Sequence, residues 1–491
     1  MPPPPESARP AGAVDGLADV AARWRRYLAD LESLASEPLP LEMQGRLVRV
    51  TGPVLEAAGI RLPVGSVCEI HPAEWGGDAA PPVVAEVVGF SGDRAFLMPT
   101  CDLHGLSSGA LVVPRRSPVM ALKLGRARQP RRRIVDRTLH LPAGDGLLGR
   151  VVDPQGQPID HKGALGQVHE EPLTRRPINA LDRDPVRTPL DTGVRAINAL
   201  LTIGRGQRIG LFAGSGVGKS VLLEMIARHA TADVIVVALI GQRGREVGKF
   251  IEGIVGDDGF RRSVVVAAPA DAPPLLRVQG ANYASAIAEH FRDRGKNVLL
   301  LMDSLTSYAM AQREIALAIG EPPAGRGYPP SCFAKLPQLV ERSGNGRAAD
   351  QQGGGGSITA FYTVLAEADD PDDPIVAAAH GILDGHIVLS RELAEAGHYP
   401  AIDVERSVSR AMGDVAAIDH LDSARRFRQL HARHRKARDL SQLRAHAPGQ
   451  DAELDLAVRL HAPMTRLLQQ DRNEAARLDD SLAYLHAVLA A

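Results

Sequence analysis

The centre of the chain carries four continuous apolar runs, and these leave few folds open to it. The runs are Gln207–Ala213, Asp233–Ile240, Ser263–Ala268 and Asn297–Asp303, with segments of helical periodicity between them. A strand that is apolar along its whole length is buried on both faces, as in a parallel sheet covered by helices, whereas a half-exposed strand alternates. The centre therefore predicts an α/β unit with a parallel sheet, and Ser357–Leu365 supplies a further strand.

The regions on either side of this unit have different patterns. Between Leu41 and about Pro114, short Val-rich segments are separated by glycine and proline, which predicts a small all-β unit, a barrel. Beyond Met412 the chain is rich in Ala, Leu, Arg and His at helical spacing, which predicts a helical C-terminal domain. The predicted domains are a β-barrel at residues 41–115, a parallel-sheet domain at 116–412 and a helical domain at 413–491.

The first 40 residues give two different signals. The first dozen are rich in Pro and Ala, a composition expected to be disordered. Between Leu17 and Leu34, apolar residues recur at three- and four-residue spacing, which predicts an amphipathic helix. This helix can pack on its own barrel or dock on a partner. Its position between a Pro-rich tail and a domain boundary favours docking on a partner.

Composition and charge exclude several classes of protein. The chain has 57 Lys and Arg against 58 Asp and Glu, so it lacks the basic excess of a protein built mainly to grip nucleic acid. The three cysteines, Cys68, Cys101 and Cys332, show neither metal-ligand spacing nor a disulfide framework, as expected of reduced thiols in a cytosolic protein. No apolar run is long enough to span a membrane, and the N-terminus lacks the features of a signal peptide.

A glycine-rich segment, Ala213–Ser220, directly follows the first apolar run and opens a helix. Its glycines let successive backbone N–H groups point at phosphate oxygens. Lys219 is expected to reach the β- and γ-phosphates, and the Ser220 hydroxyl to ligand Mg²⁺. Ala213 replaces the usual first glycine, but only a small residue is needed there. The segment predicts ATP and Mg²⁺ as ligands, with the nucleotide bound by Gly214, Ser215, Gly216, Val217, Gly218, Lys219 and Ser220.

An acidic residue, Asp303, ends the buried strand Asn297–Asp303. A carboxylate at the tip of such a strand suits the group that holds Mg²⁺ in proteins with this kind of loop. A strand-ending Asp is by itself more often a helix cap. The loop upstream favours the metal role, so Ser220 and Asp303 are the predicted metal ligands.

Longer segments resemble the type III secretion ATPase family, in particular its flagellum-specific branch, which is itself similar to the catalytic chains of rotary ATP synthases. The segments are Ala213–Ser220, Ile240–Val247, Arg326–Gly346 and Asp384–Arg410, and Gly149–Asp160 resembles the entry to the family's nucleotide-binding domain. The resemblance covers the chain from about Leu41 to the C-terminus. It implies a RecA-like parallel-sheet nucleotide-binding core with an N-terminal small β-barrel and a C-terminal helical domain.

The resemblance also implies roles for residues outside the loop. Arg410 matches the arginine finger that reaches the γ-phosphate bound by the neighbouring subunit, where a planar guanidinium can bond two oxygens at once. Tyr399 matches an aromatic residue that stacks on adenine, and Arg243 matches a phosphate-side arginine. Gln242 stands where hydrolysing members carry a Glu that polarises the attacking water. The implied catalytic residues are Lys219, Gln242, Arg243, Asp303 and Arg410.

Gln242 leaves two functions open. An amide can orient water but cannot accept its proton, and the non-hydrolysing chains of rotary synthases resemble this sequence in carrying Gln there. The chain is therefore expected either to hydrolyse ATP and drive or gate export of flagellar proteins, or to bind nucleotide as a weakly hydrolysing ring subunit. Glu246 and Glu224 are the candidate replacement bases. A virulence-type secretion ATPase is the alternative within the family.

The family resemblance implies several partners. It implies a homo-oligomer, a hexameric ring, with an export-ATPase regulator on the N-terminal helix, and contacts with an export gate, chaperones and exported proteins. It also implies a cytoplasmic location with peripheral association at the inner face of the bacterial membrane.

A ring-shaped RNA translocase has a similar core but needs base-stacking aromatics in its N-terminal domain. The barrel region offers only Trp75, Phe90 and Phe96, so no nucleic acid partner is expected.

Overall fold

The computed structural model describes residues 44–72, 81–101, 103, 105–115, 139–254, 258–346, 355–365, 373–439 and 451–490, and part of 21–32. Eight residues of the expected N-terminal helix are described, between 21 and 32, and all eight are helical. The Pro-rich tail lies outside the described residues. The chain divides into two compact units, one containing most of the N-terminal β-strands and the other containing everything from Leu139 onward.

The N-terminal unit is a closed barrel of six antiparallel strands in the order β1-β2-β5-β4-β3-β6. Along β4, Val83, Ala85 and Val87 point into the barrel core and are buried, whereas the residues between them are less buried. Closing the sheet removes its free edges, and the predicted barrel is confirmed. Its strands are β1 Gly45–Thr51, β2 Val54–Ala58, β3 Val67–His71, β4 Val83–Ser91, β5 Arg94–Pro99 and β6 Leu111–Pro114.

The second unit is built on a nine-stranded sheet with the order β19-β18-β12-β17-β15-β13-β14-β8, and β16 pairs with β17 beside this path. The pairs from β18 to β8 are parallel, and β19 and β16 pair antiparallel. The predicted parallel sheet is confirmed. The strands are β7 His140–Ala143, β8 Arg150–Val152, β9 His169–Pro172, β10 Pro189–Leu190, β11 Ile203–Gly204, β12 Arg208–Ala213, β13 Val234–Gln242, β14 Ser263–Pro269, β15 Asn297–Asp303, β16 Gly344–Asn345, β17 Ser357–Leu365, β18 Gly385–Val388 and β19 Val408–Ser409.

The continuous apolar strands are explained by two hydrophobic cores, one on each face of the sheet. In β13, Ile235 and Val237 belong to one core, while Val234 and Val236 belong to the other. Successive side chains of a strand point to opposite faces, so a strand with a core on both sides needs apolar residues at every position. The sheet is therefore a buried middle layer with helices above and below.

Helices cover both cores. The helix that follows β12 shares its core with three of the described C-terminal helices, which contribute Phe427, Met464 and Leu485 to it. The predicted helical C-terminal region thus packs on the same face as the loop helix. The described α-helices are Arg195–Leu200, Lys219–His229, Gly244–Ile254, Asp258–Arg261, Pro274–Asp293, Leu305–Ala318, Pro330–Val340, Pro374–Ile382, Arg391–Glu395, Met412–Val415, Ile418–Asp439, Ala452–Leu468 and Leu478–Ala490.

Within the described ranges, every helix is too short or too polar to cross a membrane. The domain boundaries at residues 40, 115 and 412 stay a prediction.

Candidate nucleotide site

The predicted phosphate loop connects the end of β12 to an eleven-residue helix, Lys219–His229. Gly216 and Gly218 have φ angles of 79° and 94°, which glycine adopts without the steric cost that a side chain would add. Val217, between them, is buried and anchors the loop to the core. The first turn of a helix has free N–H groups and a positive dipole end, so this loop is built to receive an anion.

Lys219 and Asp303 meet at the base of the loop. The Lys219 ammonium donates to Oδ1 of Asp303 at 2.7 Å, and the hydroxyl of Thr363 donates to the same oxygen at 2.6 Å. The Asp303 side chain is only 5% exposed, and Thr363 is completely buried. These contacts bring together the loop lysine and the strand-ending carboxylate that the sequence singled out.

The same edge of the sheet also carries Gln242. The strands β12, β17, β15 and β13 are parallel neighbours, and their carboxyl ends lie at one edge. Asp303 pairs with Leu239 of β13, three residues before Gln242. Gly241 is fixed by its surroundings, since a Cβ there would lie 2.8 Å from the side chain of Ser307. Gln242 is therefore held, partly buried, at the edge that carries Lys219 and Asp303.

The two carboxylates considered as replacement bases lie in different places. Glu246 is exposed in the first turn of the helix Gly244–Ile254, next to Gln242. Glu224 lies 3.0 Å from the position of a Cβ on Gly253, in the last turn of the same helix. Nine helical residues separate the two ends by roughly 13 Å. Burial raises the pKa of Glu224, against the charges of Arg472, Lys249 and Arg228, but its position removes it from the Gln242 end.

Arg243 and Tyr399 lie close to the loop edge. Arg243 is exposed and directly precedes the helix Gly244–Ile254. The ring of Tyr399 lies 3.5 Å from the position of a Cβ on Gly218, so it borders the loop, and the residue is 48% exposed. A half-exposed aromatic face beside a phosphate loop is suitable for stacking on a base.

Arg410 lies away from its own loop. Its backbone N–H bonds to the carbonyl of Asp384, and the backbone N–H of Asp384 bonds to the carbonyl of Arg208 at the start of β12. The loop follows the other end of β12, and the five rises along this strand separate the two backbone levels by roughly 17 Å. The exposed guanidinium donates to the carbonyl of His380 at 3.2 Å. The structure therefore brings Lys219, Asp303 and Gln242 together, but not Arg410.

The residues at the loop edge fit a magnesium ion. Ser220 is exposed in the first turn of the loop helix, and Asp303 supplies a carboxylate beside Lys219. Hydroxyl and carboxylate oxygens are the ligands that Mg²⁺ takes from proteins when phosphates supply the others. The donor set of this chain therefore agrees with the ion that the sequence predicts.

Thr363 is the functional residue that sequence reasoning missed. It lies within the apolar strand β17, where threonine is common because its branched side chain fits a pleated surface. The available signal was its place near the carboxyl end of a strand paired directly with the loop strand, at the level of Leu211.

A second cluster of polar side chains lies on the other side of the sheet. Oε1 of Glu171 lies 2.8 Å from Nε2 of His169 and 2.9 Å from Nδ1 of His290, and Arg175 pairs with the same carboxylate. Burial acts to raise the pKa of Glu171, but the two histidine hydrogen bonds and Arg175 outweigh it and hold the pKa at about 2. Because a guanidinium already supplies the positive charge, the cluster is an ion-pair network that ties β9 to the helix Pro274–Asp293.

Two family models match the chain. Residues 193–409 match the ATP synthase alpha/beta family, nucleotide-binding domain, and residues 416–487 match the T3SS EscN ATPase C-terminal domain. The flagellum-specific ATP synthase of Salmonella typhimurium is 54% identical over 95% of this chain and 98% of that relative. The chain belongs to the type III secretion ATPase family. The type 3 secretion system ATPase of Xanthomonas euvesicatoria is 44% identical over 90% of this chain and 93% of that relative.

Solved structures of the family have the same fold. The assembled ATPase EscN of the enteropathogenic E. coli type III secretion system has a TM-score of 0.79 at 38% identity, over 91% of this chain and all of EscN. EscN in complex with its central stalk EscO has a TM-score of 0.77 at 37% identity over the same shares. The barrel, the RecA-like core and the C-terminal helices are therefore the family fold.

Proposed function

We propose that this chain is the ATPase of a flagellar protein export apparatus and hydrolyses ATP to ADP and phosphate. The observation that carries the proposal is the 2.7 Å contact between Lys219 and Asp303 at the base of the glycine loop. It joins the phosphate-binding and metal-binding halves of a phosphoryl-transfer site. The two flagellum-specific relatives from Salmonella typhimurium and Pseudomonas aeruginosa are 54% and 52% identical, against 44% for the type 3 secretion system ATPase of Xanthomonas euvesicatoria, which favours the flagellar branch.

The proposed roles of the residues are supported by their positions. The loop from Gly214 to Gly218 and the lysine Lys219 bind the phosphates, and Tyr399 stacks on the adenine. Ser220 and Asp303 would hold Mg²⁺, which would neutralise negative charge on the phosphates of the bound nucleotide. Thr363 holds the Asp303 carboxylate in place through its 2.6 Å hydrogen bond. Catalysis comes mainly from this positioning and charge stabilisation, since phosphoryl transfer needs little covalent chemistry from the protein.

Gln242 supports a second candidate function, a nucleotide-binding ring subunit with weak hydrolysis. Its amide orients water but does not accept a proton. Of the two alternative carboxylates, Glu224 faces the wrong end of its neighbouring helix and Glu246 is the nearer one. We favour slow but real hydrolysis, because the other parts of the site are in place.

The position of Arg410 supports a ring of identical subunits. Its guanidinium is exposed, and its backbone lies at the end of β12 opposite the loop, which fits a residue that completes the site of a neighbouring copy, with Arg243 contributing from the site's own chain. The relative EscN is itself an assembled ATPase that has a central stalk partner. The proposed assembly is a hexamer located in the cytoplasm and peripherally at the membrane. Its partners are a stalk-like protein, an export regulator, the export gate, chaperones and exported proteins, but no nucleic acid.

Phosphate release by the purified full chain tests the proposal. We expect ATP-dependent, Mg²⁺-dependent release in the wild type. Arg410→Ala should keep ATP binding and lose about 10³-fold or more in turnover, as arginine fingers do, whereas Lys219→Ala should lose binding itself. If the wild type released no more phosphate than Lys219→Ala, only the second candidate function, a nucleotide-binding subunit without significant hydrolysis, would remain.

A further inference from the structure

A stack of aromatic rings joins the loop strand to the segment that carries Arg410. The imidazole of His380 lies parallel to the ring of Phe212, with centroids 4.2 Å apart and planes 8° apart. His386 meets His380 edge-on, with centroids at 4.6 Å. Phe212 is buried and is the residue directly before Ala213, where the nucleotide loop begins. The three rings therefore form one cluster around the residue that precedes the loop.

The position of the Phe212 ring is fixed by the strand itself. A Cβ on Gly210 would lie 2.4 Å from Cε2 of Phe212 and 2.9 Å from Cδ1 of Leu383. The ring thus fills the space that a side chain at Gly210 would take. Phe212 is buried and close-packed, and the half-buried ring of His380 lies against its face, so a shift of the loop end of β12 moves Phe212 and the ring stacked on it.

The other end of this stack reaches the arginine finger. His380 lies in the last turns of the helix Pro374–Ile382, and its backbone carbonyl accepts the 3.2 Å hydrogen bond from Nη2 of Arg410. The imidazole that stacks on Phe212 and the carbonyl that orients Arg410 thus belong to one residue. Burial lowers the pKa of the His380 imidazole, as do the His386 and Arg410 charges. The ring is therefore neutral near pH 7 and packs as an aromatic group.

A separate ion pair holds the end of β12 that is opposite the loop. Arg208, at the start of β12, forms hydrogen bonds through its side chain with both carboxylate oxygens of Asp384, at 2.9 and 3.2 Å. The carbonyl of Asp384 receives the backbone N–H of Arg410. The Arg410 backbone is therefore anchored at the distal end of β12, and only its side chain depends on the His380 carbonyl near the loop end.

We propose that His380 is a positioning residue: its stack on Phe212 sets the orientation of Arg410, so that the strand leading into one subunit's nucleotide loop also adjusts the finger presented to the next subunit. The proposal rests on the proposed role of Arg410 in a neighbouring site. Through this contact, a movement at one subunit's nucleotide loop changes the orientation of the finger that the same subunit presents to its neighbour. The contact needs the aromatic ring at position 380 rather than its ionisable nitrogen atoms.

Mixed assemblies of two full-length variants test this proposal. One chain, the finger donor, carries Lys219→Ala and keeps Arg410. The other, the site donor, carries Arg410→Ala and keeps its loop. Each variant alone should release little phosphate, and mixing should restore turnover at sites where a site donor meets a finger donor. Absence of this recovery would refute the action of Arg410 in a neighbouring site, and the positioning role would fail with it.

After recovery of turnover has been established, His380→Leu is added to the finger donor and to the site donor in separate experiments. On the finger donor it should lower the recovered turnover by about 10-fold or more, since a misplacement of 1 Å can cost about 10²-fold. On the site donor, which has no finger to orient, it should have little effect. His380→Phe on the finger donor keeps a stacked ring and should restore turnover.

Two outcomes overturn the proposal. One is an equal loss with His380→Leu on either chain, or a loss only on the site donor, because the residue would then support its own loop. The other is full turnover with His380→Leu on the finger donor. Thermal melting of each variant checks folding. If His380→Leu does not fold, Phe212→Leu on the finger donor breaks the same stack from its other side and decides between the same outcomes.

Discussion

Lys219 and Asp303 are 84 residues apart in the chain, yet the ammonium of one lies 2.7 Å from the carboxylate of the other. Each is the other's counter-charge in a pocket where the carboxylate is almost fully buried. Any phosphate that Lys219 binds must compete with this carboxylate. The ion pair therefore influences both the affinity for nucleotide and its dependence on magnesium.

Asp303→Asn should separate these two effects. Removing the carboxylate charge frees Lys219 and ends the repulsion of phosphates, so ATP affinity measured in EDTA should rise. Mg²⁺-stimulated phosphate release should be lost, because a hard oxygen ligand is gone. Asp160→Asn is the matched control, since Asp160 pairs with Arg150 at the same 2.7 Å and is equally buried. Unchanged Mg²⁺ stimulation in Asp303→Asn would contradict the metal role.

Gln242→Glu should raise the turnover number and leave nucleotide affinity almost unchanged. The added carboxylate can accept a proton from the attacking water, and a missing general base typically costs about 10²–10⁴-fold. Steady-state phosphate release and equilibrium ATP binding measure the two quantities. Lower turnover in this variant would mean that Gln242 is adapted to another base, and loss of activity in Glu246→Gln would then identify that base.

Thr363→Val should reduce turnover without unfolding the chain. The hydroxyl donates to an ionised carboxylate, and such hydrogen bonds contribute about 1.5–3 kcal/mol, equivalent to about 10–100-fold in rate if expressed in the transition state. Thr359→Val is the control, because Thr359 is buried in the same strand and accepts from Gly206 N–H instead. Both should lower stability, but only Thr363→Val should lower turnover at saturating ATP. Equal turnover in the two variants would argue against a role for Thr363 at the site.

Buried histidines should make the fold less stable in mild acid. Burial lowers the pKa of His398, aided by His431, and it lowers that of His420 despite a bond to the Ala199 carbonyl. As the pH falls, these histidines take up protons near pH 6.5 in the unfolded chain and only at a lower pH in the folded chain. The free energy of unfolding should therefore fall as pH drops below about 6.5 and be insensitive to these groups above it.

His398→Leu should flatten this pH dependence. Nε2 of His398 is buried and has no hydrogen-bond partner among the described residues, so an apolar replacement removes a polar group that cannot be satisfied. Such replacements are nearly neutral or stabilising. Urea unfolding from about pH 8 to about pH 5 measures the slope, with exposed His71→Gln as control. An unchanged slope in His398→Leu would contradict the assignment.

Deletion of residues 1–35 should spare nucleotide binding and abolish capture of an export regulator in a pull-down. The expected docking helix includes Trp24, which is half-exposed and contacts Tyr27 edge-on at 5.8 Å. Segments outside a folded core can be removed with little effect on it. ATP binding by the truncated chain is the control. Capture retained by that chain would locate the regulator's site elsewhere.

Local patterns in the sequence were sufficient for much of the fold and part of the site. Residues such as Val236 and Val237 had to be apolar in succession, because each face of the sheet has its own core. The glycines of the loop predict a backbone that wraps around phosphate. These features depend on neighbours along the chain, so a reader of the sequence can find them.

The remaining features depend on pairings between distant segments. Thr363 reaches Asp303 only because β17 lies between β12 and β15, which no local pattern specifies. The stack of His380 on Phe212 depends on how the helix Pro374–Ile382 packs on β12. The distance of Arg410 from its own loop likewise follows from the antiparallel pairing of β19 with β18.

If Arg410 acts in a neighbouring copy, as proposed, its separation from its own loop gives the subunit a direction. A finger at one edge of the sheet and a loop at the other give the chain a donor side and an acceptor side. Two copies related by a twofold axis share one self-complementary patch, so they complete a site only when the finger and the loop both lie within that patch. Productive contacts therefore run head to tail, and such contacts either close into a ring or continue as a filament. The angle between successive subunits, rather than any residue of the nucleotide site, then sets the number of complete nucleotide sites in one assembly.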